Sequence, residues 1–203
     1  IKTSGQFVKG FTPPDYTVVG LMVRRFIYSL TGQTSAGKTC ITLLLAASVA
    51  LGKPFAGCVT KKCRVLYCAA ENPDDVRMRW IALAQEMGFD ASNIEVYFTE
   101  DTFTISALGN QLRQEAEAFG GEFGLVIVDT GPAFFEGDDE SNRVQMGKHA
   151  RMLRGLIKII PGLPTVLVNV HPVKNATADN LLPAGGGTFL NEVDGNFTAA
   201  RSD

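Results

Sequence analysis

One octet, Gly32-Gln33-Thr34-Ser35-Ala36-Gly37-Lys38-Thr39, has the residue types and spacing that cradle a polyphosphate. In the pattern G-x-x-x-x-G-K-[ST] the glycines let backbone N–H groups turn inward around anionic oxygens, where a Cβ would clash. Lys38 supplies a cation for the β- and γ-phosphates, and the Thr39 hydroxyl stands where it can ligate Mg²⁺. Two acids end strands that would border the same place. Asp129 closes the apolar run Leu125–Asp129, a position from which a carboxylate holds Mg²⁺ through water opposite the loop. Glu71 follows the run Arg64–Ala70, where a carboxylate can orient and deprotonate a water attacking a γ-phosphate. Its plainer role is that of an acid at a helix start, beside Asp74 and Asp75. His171 ends a third apolar run, where an isolated histidine is ordinarily a hydrogen-bonded structural residue.

These groups need a scaffold, and the pattern around them supplies one. Arg25–Thr31 alternates as a strand into the octet, and Cys40–Leu51 follows it as a helix-length apolar run stopped by Gly52 and Pro54. Strand, glycine-rich turn and helix N-terminus form the setting in which phosphate meets a helix dipole. Further along, a helix capped by Asp74 or Asp75 presents Val76, Trp80, Leu83, Ala84 and Met87 on one face, and Gly88 closes it. Ile94–Phe98 reads as a strand, Ser106–Phe119 as a polar helix, and Gly131–Asn142 as a loop. Met146, Ala150, Leu153, Ile157 and Ile160 then mark another helix, which also carries a stripe of Lys148, Arg151, Arg154 and Lys158. His149 on that helix reads as a surface or interface residue. Pro164–Val170 is a strand, 171–188 a Gly-rich loop, and 193–199 a final strand. The alternation predicts an α/β fold, a doubly wound, mostly parallel twisted sheet flanked by helices. Residues 1–20 read as an unpacked lead-in and 21–203 as the domain.

At 203 residues the chain fits one such domain with a sizeable core. A net charge of −2 excludes a globally basic nucleic-acid binder, so any such contact must come from a local patch. No apolar run reaches membrane-spanning length and no N-terminal signal pattern is visible, so a soluble, cytoplasmic protein is expected. Cys40, Cys58, Cys63 and Cys68 match no zinc spacing. Cys40 and Cys68 read as small core residues, while Cys58 and Cys63 bracket a turn, with reduced thiols the expected state.

Taken together, Gly32–Thr39, Ala69-Ala70-Glu71-Asn72-Pro73, Leu125–Asp129 and Asn169-Val170-His171-Pro172 resemble the RecA-like P-loop ATPase core. Its nearest branch is the RepA-type hexameric replicative helicases and their phage relatives. The resemblance covers roughly residues 15–203 and implies ATP and Mg²⁺ as ligands. By it, Gly32–Cys40 is the nucleotide-binding segment, Glu71 the catalytic base, and Thr39 and Asp129 the metal contacts. His171 becomes a γ-phosphate sensor coupled to a DNA-binding loop, and Arg201 a finger reaching a neighbouring subunit's site. Arg79, in preference to Arg77, packs on adenine. The implied activity is that of a ring-forming, hexameric ATPase translocating on single-stranded DNA. Only Lys174 offers a cation between His171 and Arg201, which makes the DNA-binding loop electrostatically thin. That thinness keeps open a different class of function, a nucleotide-dependent switch or scaffold with little turnover. A small-molecule kinase would need a lid with paired arginines, and none is apparent.

Overall fold

The computed structural model describes residues 1–9, 11, 13–100, 113–114, 117–118, 120–139, 142–177 and 179–201. The polar helix expected over 106–119 lies mostly outside the described residues. A short helix α1 (Ser4–Val8) and a two-stranded antiparallel ribbon of β1 (Tyr16–Val18) and β2 (Met22–Val23) precede the main sheet. α1 buries none of its side chains. Thr17 and Val18, expected in an unpacked lead-in, are buried because the ribbon closes one end of the core.

Six parallel strands follow: β3 (Ile27–Gly32), β4 (Arg64–Ala69), β5 (Val96–Thr99), β6 (Phe123–Asp129), β7 (Thr165–Val170) and β8 (Gly195–Ala199). Their order in the sheet is β5-β4-β6-β7-β3-β8, so β7 separates the strand leading into the octet from the strand ending in Asp129. Every residue of β3, β6 and β7 is buried, as apolar runs covered by helices on both faces must be. α2 (Lys38–Leu51) and α3 (Pro73–Met87) cover one face, over Leu30, Tyr67, Ile127 and Leu167. α4 (Arg143–Ile159) and the short α5 (Gly186–Leu190) cover the other, over Ile27, Cys68, Val128 and Val168. The faces alternate residue by residue, which is the pleat expressed in the core.

Local chemistry explains the helix limits. α2 starts after Gly37 (φ +86°) and stops at Gly52 (φ +69°), whose N–H bonds back to the last turn. α3 is capped by Asn72, whose side chain accepts from the Asp75 N–H, with Pro73 at the first helical position. The expected caps, Asp74 and Asp75, instead lie in the first turn, where carboxylates favour the helix dipole. Trp80 and Val76 are the buried anchors of α3. α4 begins at Asn142, which accepts from Val144 and Gln145 N–H groups.

Two other segments depart from expectation. Gly131–Phe134 is a 3₁₀ turn rather than open loop. Gly185-Gly186-Gly187, expected as a flexible loop, begins α5. Gly185 sits at φ +84°, and a Cβ there would come within 2.1 Å of Met146 Cγ, so the glycine serves packing against α4.

Candidate active site

Parallel register brings the strand ends to one edge. Gly32 pairs with Ala199, Thr31 with Val170, Val128 with Val168, and Ala69 with Asp129. The segments leaving β3, β4, β6 and β7 therefore emerge together at the carboxyl edge, where open α/β sheets place ligands. Lys38, Glu71, Asp129 and His171 all line one cavity there, of about 540 Å³.

Thr34, Ser35, Gly37 and Thr39 line the same cavity from the octet. Among the described residues no side chain caps the N-terminus of α2, so its first N–H groups are left for a ligand. Lys38 is only 7% exposed, and its ammonium donates to the carbonyls of Gly32 (2.7 Å) and Gln33 (3.0 Å). Burial pushes its pKa down, with Asp129 and Glu71 opposing. The two glycines do different jobs. Gly37 is needed for its positive φ, and the space around its missing Cβ is open. At Gly32 a Cβ would meet Ala199 O at 2.7 Å, so that glycine admits the neighbouring strand rather than a phosphate.

Asp129 is 4% exposed, and both its oxygens are held. Tyr67 OH donates to Oδ2 (2.6 Å) and Asn169 Nδ2 to Oδ1 (2.8 Å). Glu71 is exposed, and its Oε2 accepts from Thr130 Oγ1 at 2.9 Å. Sequence assigns no role to Tyr67 or Thr130, and Asn169 enters there only as part of the motif that contains His171. Asn169 carried the clearest signal, an amide within an otherwise apolar strand.

Asn72, Asp75 and Arg79 form one wall. Arg79 donates from Nε to Asp75 Oδ2 (2.6 Å) and from Nη1 to Cys40 Sγ (2.9 Å), and Asp75 first, then Cys40, raise its pKa above the usual guanidinium range. Arg77 turns away to Asp74 and Glu100. Cys40 is exposed, contrary to its reading as a core residue, because it lies on the outer side of the first turn of α2, whose Lys38 is buried. Cys58, Cys63 and Cys68 are likewise free thiols, and burial lifts Cys68 to about 12 and Cys63 to about 11.

The cavity holds three carboxylates, Glu71, Asp75 and Asp129, against the cations of Lys38 and Arg79, so an entering polyphosphate needs added countercharge. Among the described residues no three His, Cys, Asp or Glu side chains gather as a metal cluster. Thr39 and Asp129 offer two hard oxygen donors. That set suits Mg²⁺, which is held by one or two protein oxygens completed by phosphates and water.

Gln33, Ala36 and Arg201 lie elsewhere, lining a separate cavity of about 260 Å³ that also touches Thr34 and Ser35. The register explains it: Arg201 is two residues past Ala199, as Thr34 is two past Gly32. Arg201 thus flanks the octet without lining the cavity that contains Lys38. The basic stripe on α4 also divides. Arg151 pairs with Glu192, and Arg154 with Asp194 and the Glu192 carbonyl, which ties α4 to the approach to β8. His149, expected as a surface or interface residue, is 4% exposed, packs edge-on to Phe135, and leaves Nδ1 without a partner among the described residues. Burial depresses its pKa to about 4, against an opposing backbone hydrogen bond at Gly131 and the charge of Glu136.

Among the described residues no helix is long and apolar enough to cross a membrane. No curated protein matches the chain in sequence. Among solved structures, an ATPase domain is similar at a TM-score of 0.63 and 13% identity, over 88% of this chain and 70% of that one. That likeness and the sheet order give the fold as that of a RecA-like P-loop ATPase. The family model described as AAA domain matches residues 2–177, most of the chain, which therefore belongs to the AAA domain family of ATPases.

Proposed function

We propose that residues 21–203 bind and hydrolyse ATP with Mg²⁺, and that copies of the chain assemble as a ring, a hexamer, acting on single-stranded DNA. The observation that carries the ATPase part is the convergence of Lys38, Glu71, Asp129 and His171 on one cavity at the uncapped start of α2. In this account the N–H groups of the Gly32–Cys40 segment that face the main cavity and the Lys38 ammonium grip the phosphates. Thr39 and Asp129 hold Mg²⁺, which neutralises charge on the β- and γ-phosphate oxygens when bound. Glu71, steadied at Oε2 by Thr130, takes the proton of the attacking water. His171 senses the γ-phosphate, and its carbonyl, bonded to the Ala184 N–H at 2.8 Å, ties that sensor to the segment entering α5. Arg79 packs on the base. Arg201, lying outside its own chain's main cavity, completes the site of a neighbour, where a guanidinium stabilises charge on the transferring phosphoryl group.

A second reading, an ATP-dependent switch that recruits partners with little turnover, is favoured by one observation. Arg151 and Arg154 are engaged within the chain, which draws two of the four cations of the α4 stripe away from a nucleic-acid backbone. The ATPase rate measured with and without single-stranded DNA separates the two. Stimulation by DNA supports the motor. A slow rate that DNA leaves unchanged across protein concentrations supports the switch.

A further inference from the structure

Under the floor of the main cavity, four side chains from four different elements close a ring of hydrogen bonds. Asp129 at the end of β6 accepts from Tyr67 of β4 and from Asn169 of β7. The Asn169 amide nitrogen also donates to Thr42 Oγ1 of α2 at 3.1 Å, and Thr42 Oγ1 lies 3.0 Å from the Tyr67 oxygen. Tyr67, Thr42 and Asn169 are fully buried.

Donor counting sets the direction of this ring. A carboxylate only accepts, so the single Tyr67 proton goes to Asp129. The single Thr42 proton then goes either to the Tyr67 oxygen at 3.0 Å or to the Lys38 and Thr39 carbonyls of its own helix, at 3.1 and 3.2 Å. Asn169 must present nitrogen rather than oxygen to Asp129, since the reverse would set two acceptors face to face. This leaves Asn169 Oδ1 buried without a partner among the described residues. The fold thus keeps a donor on each Asp129 oxygen even at the expense of an unsatisfied amide carbonyl.

Thr42 stands one turn beyond Thr39 on α2. The ring therefore fixes the Asp129 carboxylate relative to the start of α2, where the Thr39 hydroxyl is. On the ATPase reading of the cavity, we infer that Tyr67, Asn169 and Thr42 are positioning residues that set the affinity of the site for its divalent cation while leaving affinity for the nucleotide itself nearly unchanged. Groups that orient a metal ligand typically change metal affinity by about 10- to 100-fold when removed.

The test uses Mn²⁺ as the probe. Free Mn²⁺ is followed by electron paramagnetic resonance as it is titrated into protein with ADP, and ADP affinity is measured separately in EDTA. Tyr67→Phe removes one oxygen and is expected to weaken Mn²⁺ binding by about 10-fold or more, with metal-free ADP affinity held within about twofold. Thr42→Val should weaken Mn²⁺ in the same direction, whereas Thr42→Ser, which restores the hydroxyl, should recover it. The Thr42 pair keeps the question open should Tyr67→Phe not fold. Variants that melt at lower temperature yet bind Mn²⁺ like the wild type would show the ring to be purely structural and overturn the inference. A wild-type protein that binds no Mn²⁺ with ADP would instead overturn the ATPase reading, and the inference with it.

Discussion

His149 offers a sharp physical test of the core beneath the segment that follows Asp129. Its imidazole is buried on α4 against Phe135, and its pKa falls from 6.5 to about 4. A histidine whose folded pKa is depressed binds fewer protons in the native state than in the unfolded one. Its contribution is therefore fully present above pH 6.5 and is lost as pH falls towards the folded pKa of about 4. Integrating between about pH 7 and pH 4.5, this one group should remove about 2 kcal/mol of stability. Carboxylates titrate in the same range, so the measurement is a difference. Urea unfolding of wild type and His149→Leu is followed at both pH values, and the variant should lose about 2 kcal/mol less than the wild type. Leucine has a volume suited to the site and carries no proton. Parallel loss of stability in the two proteins would refute the reasoning, because it would mean that His149 is hydrated or paired in solution.

Three further outcomes follow from the same structure. Gly32→Ala should destabilise the fold by about 1–3 kcal/mol in thermal or urea unfolding, because its Cβ would press on the Ala199 carbonyl 2.7 Å away. Trp80→Ala should cost about 3–5 kcal/mol, since Trp80 is 7% exposed and packs against Phe89 and Phe98. Iodoacetamide followed by peptide mapping should label exposed Cys40 ahead of buried Cys68, and Mg·ATP should slow labelling at Cys40 through its contact with the Arg79 wall.

The strand-end groups were legible because each follows an apolar run that only a buried parallel strand explains. Glu71, Asp129 and His171 inherit their common edge from that rule. Their buried supports were not legible. With β4, β6 and β7 covered on both faces, nothing in a single run says towards which helix Tyr67 or Asn169 projects. Nor does local sequence encode that β7 lies between β6 and β3, the placement that puts Asn169 within reach of both Asp129 and Thr42. His149 is a different case. It lies three residues after Met146 and four before Leu153, on the buried face of α4, so periodicity alone marked it as interior. Its polarity obscured that signal. Cys40 is the opposite case, since it opens an apolar run yet stands exposed in the first turn of α2.

The most direct test of the central claim is paired: equilibrium binding of Mg·ATP and single-turnover release of phosphate by Glu71→Gln. With Glu71 exposed at the cavity rim and bonded to Thr130, the substitution should leave ATP affinity within a few-fold of wild type. Phosphate release should fall by about 10²–10⁴-fold. Undiminished release, or ATP binding abolished along with it in a folded protein, would contradict the assignment of this cavity as the place where the phosphoryl group is transferred to water.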